Sequence, residues 1–366
     1  MKTIKQLLAR LHVLSCQQKH LARLDPSAAL KYGTKVALFF IDKIGHHPRI
    51  IPRNTRSMKY NKSGLIVGLV FIFTLVIPAH ANNFIPLNNF GDNPGELTAS
   101  LSVPQHHSQA LVVLLHGCAQ NGIEFAKNSS FTTLSTQHNF ALLVPQQSDK
   151  NNIKLCFNWF SPQDIEKDQG ETLSLVNMIK KAQALSHAKQ VYIAGLSAGG
   201  AMASHMLVNY PRLFSAGAIV AGIPSPCADN LIKAISCMRS GPSFSHQELI
   251  EQITNNQRSQ QWPNISIWYG DDDKVVNPAN SIALAEQWRG LHQIRTPPNI
   301  EKHLNYQITQ WHLDDKNIAV QLVAINQLTH GMPIKPTAND GGTEAPFILK
   351  SPLNAAAKII EFWRLH

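Results

Sequence analysis

The chain has 366 residues, 44% hydrophobic and 15% charged, enough for one large globular domain or two small ones. Its formal net charge of +10 would suggest acidic partners, but the first 81 residues hold 13 basic and 2 acidic side chains, and the remainder carries a net −1. The main part of the chain therefore lacks the positive charge that phosphate binding requires, which excludes nucleic acid as its partner.

Residues 1–57 form a basic N-terminal extension with only weak helical periodicity, near Ile4–Leu14 and Val36–Ile44. Residues 58–81 read as an export signal. Lys59 and Lys62 supply a positive start, Leu65–Ile77 an apolar run, and Ala79-His80-Ala81 small residues at the cleavage positions. The 13-residue run is short for a membrane span, which needs about 20, although an uncleaved anchor is the alternative. Because a signal normally opens a protein, Met58 is expected to be the start of the translated chain, with residues 1–57 outside the mature protein. The mature chain, 82–366, is then expected to be secreted, extracellular or periplasmic, without stable membrane association after cleavage. Its four cysteines, Cys118, Cys156, Cys227 and Cys237, form an even set that suits two disulfides in an exported protein. Cys227 and Cys237 flank a short helical segment and are expected to pair locally, leaving Cys118 with Cys156; free buried thiols are the alternative. No C-x-x-C spacing points to a structural zinc.

From Leu111 onward, strand-like and helix-like segments alternate. "ALVVLLHG" is a continuous apolar run, as buried parallel strands read. A helix over Phe131–His138 and the strand "FALLVPQ" follow. Glu171–Leu185 sets Leu173, Val176, Ile179 and Ala182 on one helical face. The strand "QVYIAG" leads to a helix over Ala198–Asn209, ended by Tyr210-Pro211. Then come the strands "SAGAIVAG" and "ISIWYG", a helix over Asn280–Gly290, a hairpin of "NYQITQWHL" with "NIAVQLVAI", and an amphipathic helix over Ala355–Leu365. This alternation predicts an α/β fold, a mostly parallel sheet with helices on both faces. Asn151–Gln169 and Ser225–Asn264 are less regular and are expected to form insertions over the site.

Within this frame Gly195-Leu196-Ser197-Ala198-Gly199 lies between a buried strand and a helix, the context of a G-x-S-x-G nucleophile turn rather than an ordinary Gly/Ser turn. A sharp turn exposes the Ser197 hydroxyl, small residues at 195 and 199 let strand and helix converge, and the helix N-terminus favours developing negative charge. A hydroxyl needs a base, and in this architecture acid and histidine follow the serine along the chain. Asp271-Asp272-Asp273 follows "ISIWYG"; the third best matches the expected spacing after Gly270, leaving Asp271 and Asp272 as solvated loop acids, with a calcium cluster as a weaker reading. Among the later histidines, His330 sits in a short loop after a strand, next to Gly331. His292 and His303 are expected at the surface, His312 lies in the hairpin, and His366 is the last residue. Catalytic Ser197, Asp273 and His330 are thus expected, with the backbone N–H groups of Cys118 and Ala198 as the oxyanion hole.

The segments "LLHGCAQNGIEFA", "CFNWF", "GLSAGGAMA", "SIWYGDDDKVVNPAN" and "HGMPI…FILK…IIEFWRL" resemble the polyhydroxybutyrate depolymerase family of esterases over about Leu111–Leu365. The resemblance implies an α/β-hydrolase fold, a Ser-Asp-His triad falling on Ser197, Asp273 and His330, and extracellular action on ester bonds. The position of Tyr269, often histidine in relatives, departs from the pattern without touching the triad. The expected substrate is polyhydroxybutyrate, its oligomers or another acyl ester, with feruloyl and acetyl-xylan esters as alternatives. A serine peptidase and a non-catalytic binding protein on a hydrolase scaffold remain as other classes. No cofactor or metal is called for. Trp159 and Phe160 are candidates for the substrate pocket, or else core aromatics. With no binding module following the closing helix, short or soluble esters are favoured over insoluble polymer.

Overall fold

The computed structural model describes residues 83–104, 108–256 and 261–365. The extension and export signal read over residues 1–81 lie outside the described residues, as does His366. Twelve strands form among the described residues: β1 (Ile85–Pro86), β2 (Thr98–Ser102), β3 (Ala110–Leu115), β4 (Ala141–Gln146), β5 (Gln190–Leu196), β6 (Ala216–Val220), β7 (Asn264–Gly270), β8 (Asn299–Lys302), β9 (Tyr306–Asp314), β10 (Asn317–Ile325), β11 (Met332–Ile334) and β12 (Ile348–Lys350). The first ten build one sheet in the order β1-β2-β4-β3-β5-β6-β7-β10-β9-β8, and β11 with β12 forms a small parallel pair. Six neighbours in the middle, β4-β3-β5-β6-β7-β10, are mutually parallel. The antiparallel strands are confined to the two sides, where β9 and β10 form the expected hairpin.

The helices among the described residues are α1 (Gly122–Asn128), α2 (Phe131–Gln137), α3 (Pro162–Ile165), α4 (Gly170–Ser186), α5 (Ala198–Asn209), α6 (Leu231–Ser240), α7 (His246–Asn256), α8 (Ala279–Leu291) and α9 (Ala355–Trp363). Side chains alternate across a strand, so β3 feeds two cores. Leu111, Val113 and Leu115 join Leu175 and Ile179 of α4, Met202 and Met206 of α5, and Leu284 and Trp288 of α8. Val112 and Leu114 join Phe125 of α1, Phe131 and Leu134 of α2, and Ile359 and Ile360 of α9. Helices on both faces explain why these strands read as unbroken apolar runs.

Chain direction reverses at the centre: from β3 the chain goes outward to β4 on one side, whereas β5 to β10 build the other side. At such a switch the loops leaving the carboxyl ends of the strands diverge and open a crevice. The loops after β3, β5, β7 and β10 all leave from that edge.

The segment 225–264 is more regular than its sequence suggests, since it contains α6 and α7. The inward face of α6 is made of Ala234 and Cys237, while the larger Leu231 and Ile232 are exposed. The large apolar residues that give α6 its periodicity, Leu231, Ile232 and Ile235, face solvent rather than the core.

Candidate active site

Strand β5 ends beside β3, with Gly195 in register with Leu115, so the turn after β5 meets the His116-Gly117 loop. Ser197 occupies that turn with φ 57° and ψ −120°, a conformation that costs an L-residue about 1–3 kcal/mol. The surroundings hold it there: its N–H donates to the Val220 carbonyl of β6 (2.9 Å), and its carbonyl accepts the first α5 hydrogen bond, from the Ala201 N–H (2.8 Å). A Cβ on Gly195 would collide with the Gly199 carbonyl, and one on Gly199 with the carbonyls of Leu115 and His116. Glycine is required at both positions because strand, turn and helix touch backbone to backbone.

Three side chains from three loops meet at this turn. His330, five residues after β10, lies with Nε2 2.9 Å from the half-buried Ser197 Oγ and Nδ1 2.7 Å from Asp273 Oδ2. A carboxylate only accepts, so Nδ1 carries the hydrogen and Nε2 is left to accept from the serine hydroxyl. Asp273 is 4% exposed and His330 8%. The other carboxylate oxygen, Oδ1, accepts from the N–H groups of Val275 (2.8 Å) and Val276 (2.9 Å). Those two donors fix the carboxylate, and nothing in the sequence marks them.

The acidic run resolves into three different environments. Asp271 is exposed and accepts from the Gln327 N–H (2.6 Å). Asp272 pairs with Lys274 in solvent (2.7 Å), and only Asp273 turns inward to the imidazole. The histidines also separate. His303 is exposed and stacked on Tyr306 at a centroid distance of 4.2 Å, and His312 lies on β9. His292 differs from the surface role expected of it: it is half-buried beside Trp288, its Nε2 donates to the Pro263 carbonyl (3.2 Å), and burial pushes it down to about 4.

The loop after β3 carries Cys118, which is disulfide-bonded to Cys156, while Cys227 is bonded to Cys237. A Cβ on Gly117 would lie 3.5 Å from the Ser197 Cβ, so this loop borders the serine directly. Around it the Gly117 N–H donates to Gln120 Oε1 (2.8 Å), the Ala119 N–H to the Lys154 carbonyl (2.9 Å), and the Gln120 N–H to the Gly117 carbonyl (3.3 Å). Among the described residues, the N–H groups of Cys118 and Ala198 are bonded to no backbone carbonyl. Trp159, 7% exposed, packs with Ala198, Ala201, Ile223, Val276 and the Cys227–Cys237 bridge, and Phe160 sets its edge against the indole with centroids 5.6 Å apart. Trp159 is thus core to the small cluster beneath the nucleophile turn, while Phe160 is half-buried at its margin. Phe347, which sequence reasoning did not single out, presents its ring to His330 at 6.0 Å.

A family model described as esterase PHB depolymerase matches residues 102–295. The chain belongs to this esterase family. It is 32% identical over 309 residues to poly(3-hydroxyalkanoate) depolymerase C of Paucimonas lemoignei, covering 81% of this chain and 73% of that protein. It is 26% identical over 238 residues to feruloyl esterase B of Talaromyces funiculosus, covering 61% of this chain and 67% of that protein. The solved acetyl xylan esterase of Aspergillus awamori superposes with a TM-score of 0.64 at 21% identity, over 78% of this chain and 100% of that one; at that identity it shows the shared fold alone. This PHB depolymerase-family esterase is therefore a carboxylic ester hydrolase on an α/β-hydrolase fold, and its substrates are esters. Among the described residues of the esterase, no helix is long and apolar enough to cross a membrane.

Proposed function

We propose that the protein is a secreted serine esterase that cleaves carboxylic esters through an acyl-enzyme on Ser197, with polyhydroxybutyrate or its oligomers as the leading substrate. The observation that carries this reading is the unbroken relay from the Ser197 hydroxyl through His330 to Asp273, at 2.9 and 2.7 Å. As Ser197 Oγ attacks the acyl carbon, its proton passes to His330 Nε2, and Asp273 holds the tautomer and stabilises the imidazolium. The carbonyl oxygen, now negative, accepts from the N–H groups of Cys118 and Ala198, the latter opening α5 with its positive dipole end. Collapse expels the alcohol with the proton from His330, and water then enters by the same route in reverse.

The preference for a hydroxyalkanoate rests on the 32% identity to the Paucimonas enzyme. A second reading, a feruloyl or acetyl-xylan ester, is favoured by feruloyl esterase B of Talaromyces funiculosus and by acetylxylan esterase A of Aspergillus ficuum, 26% identical over 264 residues. Phe160 and the margin of the Trp159 cluster would then border the acyl group. The catalytic domain spans 82–366, after a signal over 58–81. Peptides from residues 1–57 in mass spectra of the secreted protein would overturn that start.

The test uses the purified protein and its Ser197→Ala variant on p-nitrophenyl esters of rising chain length, then on hydroxybutyrate oligomers, methyl ferulate and a peptide. Ser197→Ala should retain less than about a thousandth of the wild-type kcat. Equal turnover by both proteins would remove the serine from the mechanism. Cleavage of peptide alone would indicate a peptidase, and no turnover of any ester by wild type a binding protein.

A further inference from the structure

On the α9 side of the sheet, Trp268 of β7 and Val323 of β10 join the core, with Ile308 of β9 packed against it. Two positions away along each strand, on the same face, the register aligns Ser266, Gln321 and Gln310 in one cross-strand row. A polar row in otherwise apolar strands is costly unless its hydrogen bonds are met. Trp268 Nε1, which can only donate, gives its hydrogen to Ser266 Oγ (2.8 Å), and Ser266 gives its own to Gln321 Oε1 (2.9 Å). That chain orients the Gln321 amide: its oxygen is used, while its Nε2 has no partner among the described residues. Gln321 is only 8% exposed, yet it lines a cavity of about 490 Å³ between this row and the last turns of α9. The half-buried amide of Gln310 lines the same cavity and has no partner among the described residues. The charges around it balance, Glu301 and Glu361 against Lys358 and Arg364, and Lys358 Nζ lies 2.7 Å from Glu361 Oε2. A second cavity, of about 820 Å³, shares Ser215, Asn264 and Asn317 with the first and carries the half-buried Trp262. At the join Asn264 Nδ2 donates to Asn317 Oδ1 (2.9 Å).

We propose that this two-lobed groove is a non-catalytic binding site for a linear, neutral oligosaccharide, with the Gln321 amide as its fixed donor. Amide side chains present donors and acceptors together, and sugar hydroxyls, which do both, match them. A polyester offers only oxygens that accept, so the Gln310 carbonyl would be left unanswered against it. Balanced charge gives an ionic ligand no excess to pair with. Phe362 in the first lobe and Trp262 in the second supply apolar surfaces for the C–H faces of sugar rings. Both volumes fall in the range of ligand sites, and two joined lobes suit a chain better than a single ring. Gln190 and Asn264 open β5 and β7, whereas Ser197 and Asp273 follow the far ends of the same strands. At the rise of a strand the groove and the nucleophile are about 20 Å apart. A saccharide held there leaves Ser197 free and tethers the protein to a glycan, whichever ester it cleaves.

The test titrates cellohexaose, xylohexaose and mannohexaose into the purified protein by calorimetry, with hydroxybutyrate oligomers and a neutral peptide alongside. At least one hexasaccharide should bind with a Kd below about 1 mM. Gln321→Leu, close in size, and Gln310→Ala, at the more exposed end of the row, should each weaken that binding about 10-fold. Both positions are remote from the relay, so kcat on p-nitrophenyl butyrate should stay within about twofold in either variant. Ser197→Ala should bind the saccharide as the wild type does. Absence of binding by all three hexasaccharides would overturn the proposal, as would wild-type affinity in both glutamine variants. Loss of binding in Ser197→Ala would also overturn it, by placing the saccharide in the catalytic crevice. So would Gln321-dependent binding of the polyester oligomer or the peptide in place of every saccharide. Turnover by Ser197→Ala judges the serine mechanism separately, whatever the groove binds.

Discussion

Among single residues, Ser197 and His330 are legible because their neighbours in sequence are informative: a buried strand before and a helix after the one, a strand before and a glycine after the other. Asp273 is harder, since three identical residues compete: in the sequence only the spacing after Gly270 favours the third, and in the structure burial and the Val275 and Val276 N–H groups set it apart. Glu171 is not legible at all, because an acid in a helix's first turn reads as an ordinary dipole partner. Its donors Gln147, Asn151 and Asn158 sit 13–24 positions upstream and carry no spacing signature. The assignment of Asp273 makes a sharp prediction. Asp273→Asn would put an amide N–H where Nδ1–H now donates, favouring the tautomer with hydrogen on Nε2, which cannot accept the serine proton. A fall in kcat of about 10⁴-fold is expected at neutral pH, with little change in KM. Asp272→Asn, which removes only a solvent-exposed ion pair with Lys274, should leave steady-state constants within about twofold. Comparable losses in the two would show that the run acts as a unit rather than through its third member.

At the level of elements, the sequence is clearest where burial is two-sided. Strands β3 to β7 were visible as apolar runs, and α5 was bounded correctly by the turn before it and by Tyr210-Pro211 after it. Strands β1, β8, β11 and β12 escaped because they have only two to four residues, too few for a period of two to show. Of α6 only a short helical segment between Cys227 and Cys237 is read, its large Leu231 and Ile232 facing solvent, and α7 is not read although it buries Leu249 and Ile253. The cysteines were legible through arithmetic, but their mechanical role was not: the Cys118–Cys156 bond clamps the loop after β3 to the segment beneath Gln147, 38 residues apart. A loop of that length gives about 4 kcal/mol of stabilisation in the chain-entropy model. Cys118→Ala/Cys156→Ala should therefore lower the denaturant-unfolding free energy by up to about 4 kcal/mol. In the fraction that still folds, kcat should also fall, because the peptide bearing the Cys118 N–H loses one of its tethers. A double variant with reduced stability but wild-type kcat in conditions where it is fully folded would show that the bond is structural only.

For the molecule as a whole, a chain whose main part is nearly neutral has little long-range charge to set its response to pH, so a few buried groups dominate. Burial pushes His116 and His205 down from 6.5 to about 4, and does the same to the half-buried His292. The unfolded chain then binds protons that the folded one refuses, so stability is fully present above about pH 6.5 and is lost as pH falls toward about 4. Each fully buried ring contributes about 3 kcal/mol across that window, and His292 less. Glu171 acts in the opposite sense: burial, aided by Asp164, raises it to about 8 against the opposing hydrogen bonds of Gln147, Asn158 and Asn151. There the folded chain holds the extra proton, so its contribution is complete below about pH 4.5 and is lost as pH rises through about 8. Between pH 4.5 and 6.5 three histidines outweigh one carboxyl and stability climbs; above 6.5 only the carboxyl is left and stability declines. Denaturant unfolding from pH 4 to 9 should therefore give a maximum near pH 6.5, with the acid limb steeper than the alkaline one. Glu171→Gln should flatten the alkaline limb while leaving the acid limb in place, because a neutral amide has no proton to lose. A maximum below pH 5, or an alkaline limb that persists unchanged in Glu171→Gln, would show that other groups govern the response.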